Sequence, residues 1–205
     1  MRKAIVEQFK HPSGALGRLA SWIMAHRESN LRRNEWVVSL LEIEPQHRVL
    51  EIGPGPGIAL QHAAKRAHEG LVVGVDHSEL MVGTAAKRNA EAIALGRVEL
   101  VHGTTESAIR EAASFDRVYA VNVAQFWDAP GETLGTLRRA MVPEGLIGIA
   151  FQPRNQGARD GDAERAGARY AQLLTEAGFE GVRVEYLRLS PSVICALGCA
   201  PRTGA

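Results

Sequence analysis

Excess charge is almost missing from this chain. Its 24 Lys and Arg against 23 Asp and Glu leave a formal net charge of +1 over 205 residues. Such a balance gives no electrostatic argument for a nucleic acid or an anionic membrane as partner. No run of apolar residues approaches the roughly 20 needed to span a bilayer. The stretch from Met1 to Phe9 is polar and charged and has no signal-peptide core. The expectation is a cytoplasmic protein with neither a membrane nor a nucleic-acid partner. Cysteine is scarce too, with only Cys195 on a predicted strand and Cys199 just past its end. If the chain stays extended between them they lie ~13 Å apart, beyond disulfide reach, although a bend at Gly198 would shorten that. Both read as small buried hydrophobes, and no Cys/His cluster is available for zinc. Internal repeats, low-complexity tracts and a second domain are absent as well. What remains is an apolar fraction of 45% and a length that suits one α/β domain with a small extension.

Closely spaced glycine is what the chain does have. Val49-Leu50-Glu51-Ile52-Gly53-Pro54-Gly55-Pro56-Gly57 reads as a short buried strand, Arg48 to Ile52, running into a glycine-rich turn, with a helix opening near Ile58. Three glycines at alternate positions permit a tight turn and leave room for a ligand against the main chain. The helix behind them aims its amides and positive dipole end at the same space. Dehydrogenases carry GxGxxG there and bind a pyrophosphate. Here the spacing differs, and an acid, Glu51, precedes the first glycine by two residues. A carboxylate in that place would repel a pyrophosphate but can hold a cationic amino group. A second buried run, Leu71-Val72-Val73-Gly74-Val75-Asp76, also ends in an acid. Beside the first strand, Asp76 can accept hydrogen bonds from both hydroxyls of a ribose. A ligand with an amino-acid end and a nucleoside end fits the two carboxylates, and S-adenosylmethionine is such a ligand.

On Glu51-x-Gly53-x-Gly55-x-Gly57 and Gly74-Val75-Asp76, together with Phe115-Asp116-Arg117-Val118 and Pro143-Glu144-Gly145-Leu146, residues from about 45 to 200 resemble the class I S-adenosylmethionine-dependent methyltransferases. The resemblance implies S-adenosyl-L-methionine as cofactor. It also implies a Rossmann-like α/β fold: a seven-stranded sheet in the order 3-2-1-4-5-7-6, its last strand antiparallel, with helices on both faces. In families of this type N-terminal helices commonly lie over the cofactor mouth. Residues 1–44 are accordingly expected to form a helical cover on a domain of residues 45–205.

The local pattern agrees with alternating strands and helices. In the cover, one helix is predicted from Ala15 to Glu28. A second, capped by Ser29 or Asn30, carries Trp36, Val37, Leu40 and Leu41 and is expected to stop at Pro45. Helices are then predicted over about 57–68, closed by Gly70, over 78–95 with Ser78 as N-cap, and over 106–112. Two more are expected over 131–141, ended by Pro143, and over 163–177. Further strands are predicted at 98–101, 117–121, 146–151, 182–189 and 192–197, the last two as a hairpin about Ser190-Pro191.

Ligands of open α/β sheets bind beyond the carboxyl ends of the strands, where the strand order reverses. That rule selects Glu51, Gly53, Gly55 and Gly57 after strand one, Asp76 and His77 after strand two, Thr104 and Thr105 after strand three, and Asn122 after strand four as cofactor-binding candidates. In many relatives an Asp stands where this chain has Thr104. The hydroxyl either replaces that adenine contact, shared with Thr105 or Glu106, or simply starts the next helix. Gln125, Phe126 and Trp127, with Trp22 of the cover, are the substrate-binding candidates. The two aromatics after strand four either wall a pocket or pack as core. A hydroxyl acceptor needs a base near its proton, and His11 and His26 of the cover are the candidate catalytic residues. No metal is expected. Catechol-type relatives hold magnesium with carboxylates after strand four, where this chain reads Asn122-Val123-Ala124-Gln125.

These features favour a methyltransferase acting on a small molecule, at oxygen or carbon. The alternatives are a protein or RNA methyltransferase, a protein that binds the cofactor without catalysis, and an NAD oxidoreductase. The first lacks a proline-rich acceptor clamp after strand four, and the last is disfavoured by Glu51 and the glycine spacing. A homodimer is compatible with the sequence.

Overall fold

The computed structural model describes residues 28–109, 114–155 and 157–202. The predicted helix over Ala15–Glu28, with His11, Trp22 and His26, lies outside them except for Glu28, which instead begins the next helix. Among the described residues α1 is Glu28–Leu40, followed by β1 (Arg48–Ile52), α2 (Ile58–Arg66), β2 (Leu71–Asp76), α3 (Glu79–Arg88), α4 (Ala90–Ala94), β3 (Val98–His102) and α5 (Thr105–Ala108). The second half contains β4 (Phe115–Val121), a 3-10 turn (Ala124–Phe126), α6 (Pro130–Arg139), β5 (Met141–Phe151), α7 (Asp160–Glu176), β6 (Glu180–Leu187) and β7 (Val193–Cys199).

The strands form one seven-stranded sheet in the order β3-β2-β1-β4-β5-β7-β6. β7 runs antiparallel to both β5 and β6, and the other pairings are parallel. Strand alternation sends Leu50, Ile52, Val118 and Ala120 into a core shared with α6 and α7. Val49, Tyr119 and Val121 enter a second core against α1 and α2. Two-sided burial is why the inner strands read as near-continuous apolar runs. Because β2 and β4 flank β1, the chain leaves β1 and β4 in opposite directions, and a crevice opens between the two loops.

Several helix ends differ from expectation. Ser29 and Asn30 lie within α1 rather than capping it. α1 ends at Leu40, well before Pro45, and the turn that follows it is held from afar: the Arg117 guanidinium donates to the carbonyls of Leu41 (2.5 Å) and Glu42 (3.2 Å). The helix expected to run to Leu95 breaks at Asn89. The buried Asn89 amide turns inward to donate to the carbonyls of Ala85 (2.9 Å) and Gly57 (3.2 Å). Pro143 does not end α6. It belongs to β5, in an irregular stretch where the pairing with β4 jumps from Phe115↔Met141 to Arg117↔Leu146. Cys199 closes β7 instead of following it, and both cysteines are free thiols.

Gly70 is not a helix cap either. A Cβ there would run into the backbone carbonyl of His47, at the start of β1. Gly83, inside α3, faces open space. Gly70→Ala should therefore lower unfolding free energy by roughly 3 kcal/mol or more, since backbone has to shift. Gly83→Ala should raise it by roughly 0.5–1 kcal/mol, through helix propensity. Urea titrations of the two variants check the opposite signs.

Candidate active site

The crevice between the β1 and β4 loops is a cleft of about 600 Å³, well within the range of small-ligand sites. Its floor is the glycine turn, where the three glycines answer three different constraints. All have positive φ, at 63°, 53° and 76° for Gly53, Gly55 and Gly57. A Cβ on Gly53 would press within 2.5 Å of the Val123 side chain, so this glycine lets the β1 and β4 loops touch. One on Gly57 would strike Asn89 and the backbone of Ala85, so this glycine seats α2 against α3 and lies behind the cleft. At Gly55 a Cβ would meet nothing, because the position opens onto the cleft.

Two carboxyls border that floor. Glu51 faces Tyr119 across the β1–β4 register, and the phenol donates to its Oε2 at 2.9 Å. Burial pushes the Glu51 carboxyl up to about 8, against the opposing pull of the Tyr119 hydrogen bond. It is therefore largely neutral at pH 7 by itself and ready to ionise beside a cation. Asp76 accepts from the amides of Gly55 (3.1 Å) and Ser78 (2.9 Å), with His77 Nδ1 3.8 Å away. Desolvation raises its pKa in spite of these bonds. Ser78 caps α3 as predicted, accepting from the Met81 amide. A buried carboxyl ready for a cation, an acid at the next strand end and an open glycine between them fit a nucleoside with an amino-acid tail.

Around them the cleft gathers Gly53, Gly55, His77, Thr104, Thr105, Asn122, Phe126 and Trp127. Thr104 is also the N-cap of α5, sharing a capping box with Ser107. Trp127 packs on the core while lining the cleft, and Phe126 lines it alone, so pocket wall and core both apply to this pair. Asn122, at φ 56°, uses its side chain on the end of β5: Nδ2 donates to the Gln152 carbonyl and Oδ1 accepts from the Gln152 amide, both at 2.9 Å. Gln125 is exposed and does not line the cleft. Its amide turns back to donate to the Asn122 carbonyl at 2.8 Å. Among the described residues no group of three His, Cys, Asp or Glu side chains could hold a metal ion.

The sequence reading passed over one wall of the cleft, formed by Asn30, Arg33 and Asn34 of α1. These three are buried, as are Val37, Val38 and Leu41. The six positions form a single helical stripe at i, i+3, i+4, i+7, i+8 and i+11. A count of apolar residues alone truncates that stripe. Polar residues continuing an apolar face were the available signal. α6 contributes Glu132, Thr133 and Thr136 to the cleft as well.

A family described as a methyltransferase domain matches residues 49–145. The chain is 30% identical over 186 residues to an uncharacterized methyltransferase, YdaC, of Bacillus subtilis, covering 90% of this chain and 99% of that protein. It is also 30% identical over 187 residues to a 24-methylenesterol C-methyltransferase of rice, Oryza sativa, covering 82% of this chain but 51% of the rice protein. Among solved structures, an S-adenosylmethionine-dependent methyltransferase from Aquifex aeolicus superposes with a TM-score of 0.66 at 19% identity, over 85% of this chain and 94% of that one. At that identity the likeness shows the fold.

Tyr119→Phe removes the hydrogen bond that favours ionised Glu51. The Glu51 carboxyl should then titrate higher still than about 8, and folding should lose roughly 1–3 kcal/mol from the unpartnered buried group. Carbon-detected NMR of labelled glutamate checks the first effect and denaturant unfolding the second.

Proposed function

Since the chain belongs to the S-adenosylmethionine-dependent methyltransferases, we propose that it methylates a small-molecule acceptor at oxygen or carbon, in the cleft between the β1 and β4 loops. The observation that carries this reading is the pairing of Glu51 and Asp76 on either side of a glycine turn that opens onto a cleft of about 600 Å³. The bound cofactor supplies a methyl group on a sulfonium, already activated for displacement. The protein's part is placement and the exclusion of water. Glu51, turned by Tyr119, receives the ammonium end. Asp76 is held in place by the Gly55 and Ser78 amides and keeps lone pairs for the ribose hydroxyls. Thr104, Thr105 and His77 border the adenine side, and the Asn122 carbonyl closes the methionine side.

The acceptor lies over β4 and β5, against Phe126 and Trp127. Residues 1–44 cover it, and Trp22 adds to its wall. His11 and His26 in that cover are the candidate bases for a hydroxyl acceptor, since imidazole titrates near neutral pH. The near-zero net charge and the confined volume favour a small acceptor over a nucleic acid. Among the described residues no helix is long and apolar enough to cross a membrane.

Incubation with methyl-labelled S-adenosylmethionine and a metabolite extract tests the reading. Label should enter the low-molecular-weight fraction, and His11→Ala or His26→Ala should slow its transfer by about 10²-fold or more if the acceptor is a hydroxyl. Label confined to macromolecules would refute the small-molecule acceptor.

The Glu51 role makes a separate prediction about pH. With no cation beside it Glu51 holds a proton up to about pH 8, and an ammonium group expels it. S-adenosylhomocysteine affinity should therefore rise with pH between 6 and 8, by up to about tenfold per unit, with one proton released. Calorimetry in buffers of different ionisation enthalpy measures the release, which Glu51→Gln should abolish.

A further inference from the structure

The buried stripe on α1 contains a cation that the reaction described so far does not use. Arg33 is 8% exposed and lines the cleft. Its Nη1 donates to Gln152 Oε1 at 3.3 Å, yet its Nε is buried with no hydrogen-bond partner. The Gln152 oxygen is shared: Arg154 Nη2 donates to it at 2.6 Å and also to Asn30 Oδ1. Two guanidiniums thus converge on one neutral amide. Desolvation, then the charge of Arg154, pulls the Arg33 pKa down to about 9, which still leaves it a cation at neutral pH.

A helix packed only for stability has no use for this arrangement. Removing a cation from water without a counter-ion is costly, and an apolar residue of similar size would fill the place better. The same arrangement is productive if the counter-ion arrives with a ligand. With Nη1 engaged by Gln152, the Nε–Nη2 edge carries the remaining donors; Nε itself is covered, so a carboxylate meets Nη2 first and gains the second, parallel N–H only when the side chains over Nε yield.

We propose that Arg33 anchors a carboxylate carried by the methyl acceptor, with Gln152 and Arg154 steadying it, so that the acceptor is an organic acid methylated at a second position. This rests on the reading of the cleft as a small-molecule methyltransferase site. The cofactor has a carboxylate of its own, but that group is two bonds from the ammonium. An arginine serving it would have to stand beside Glu51. Glu51 is held by Tyr119 at the β1–β4 register, whereas Arg33 is held by Gln152 beyond the end of β5. Gln152, moreover, follows β5, on the far side of β4 from β1 and β2.

The test uses benzoate as probe and benzamide as its neutral counterpart, on the full chain saturated with S-adenosylhomocysteine. Ligand-observed NMR should show benzoate binding at least tenfold more tightly than benzamide. Arg33→Met, which keeps the stem and removes the charge, should abolish that preference while S-adenosylhomocysteine affinity stays within twofold. Arg33→Lys, a milder change, keeps a charge without the two-donor edge and should lose most of the preference. Equal binding of the two probes, or an undiminished preference in both variants, overturns the proposal. A tenfold loss of S-adenosylhomocysteine affinity in Arg33→Met also overturns it, by moving the arginine to the cofactor. In the extract experiment the labelled product should be retained on an anion exchanger at neutral pH. A small product that is not retained overturns the acid anchor and leaves the small-molecule reading standing, whereas label in macromolecules alone removes both.

Discussion

The floor of the cleft depends on one carboxylate. Asp76 ends β2 and reaches across to the amide of Gly55, while its second oxygen takes the amide of Ser78. Those two bonds join the glycine turn after β1 to the first turn of α3. Behind them, Gly57 lets α3 approach closely, and the Asn89 amide fastens that approach by donating to the Gly57 carbonyl. The turn is thus held from the front by a charge and from the back by an amide, with each of its glycines at positive φ. A ligand that meets Asp76 therefore meets a preformed surface, and little ordering entropy remains to be lost on binding.

The charged groups of the cleft stand on several walls. Glu51 and Asp76 lie at the ends of β1 and β2, Glu106, Asp128 and Glu132 lie farther along the lining, and Arg33 of α1 meets Gln152 beyond the end of β5. Asn122, after β4, is a neutral residue between the two strand-end acids and the arginine. Asn122 binds the backbone of Gln152 through both side-chain atoms, and so fixes the residue shared by the two arginines. On the proposed reading the cofactor ammonium meets Glu51 and an acceptor carboxylate meets Arg33, and two such charge pairs would orient the two ligands relative to each other more firmly than shape alone.

The strands were legible because their apolar runs are bounded by strong punctuation. Arg48–Ile52 and Leu71–Asp76 end at a glycine or an acid and came out as expected. The helix ends were harder to read, because distant residues fix them. Nothing near Leu40 announces that Arg117 of β4 will hold the turn after α1, and nothing near Asn89 announces that its amide is needed by Gly57. Pro143 looked like a helix stop, yet an irregular strand edge accommodates it. At the site, Glu51, Asp76 and the glycines could be found because their chemistry follows from their order along the chain. Tyr119 could not, since its partnership with Glu51 depends on a register between two strands 68 residues apart. Arg33 was hidden for a different reason: it occupies a core position of an amphipathic helix, and a pattern that counts only apolar residues treats it as a surface charge.

Glu51, Asp76 and Arg33, which all line the cleft, share a thermodynamic property. Burial opposes the charged form of each, and in each it is the leading influence on the pKa. Neighbouring protein groups offset that cost only in part: one phenol for Glu51, two amides with His77 and His102 nearby for Asp76, and one shared amide oxygen for Arg33. A fold selected for stability alone would replace such groups with apolar ones or pair them with one another. Here Arg33 meets a neutral amide oxygen and Glu51 a neutral phenol. Burial of the three groups therefore subtracts from what the sheet and the two cores supply. A ligand that pairs with them and binds the folded state alone would return that stability in proportion to the logarithm of its concentration.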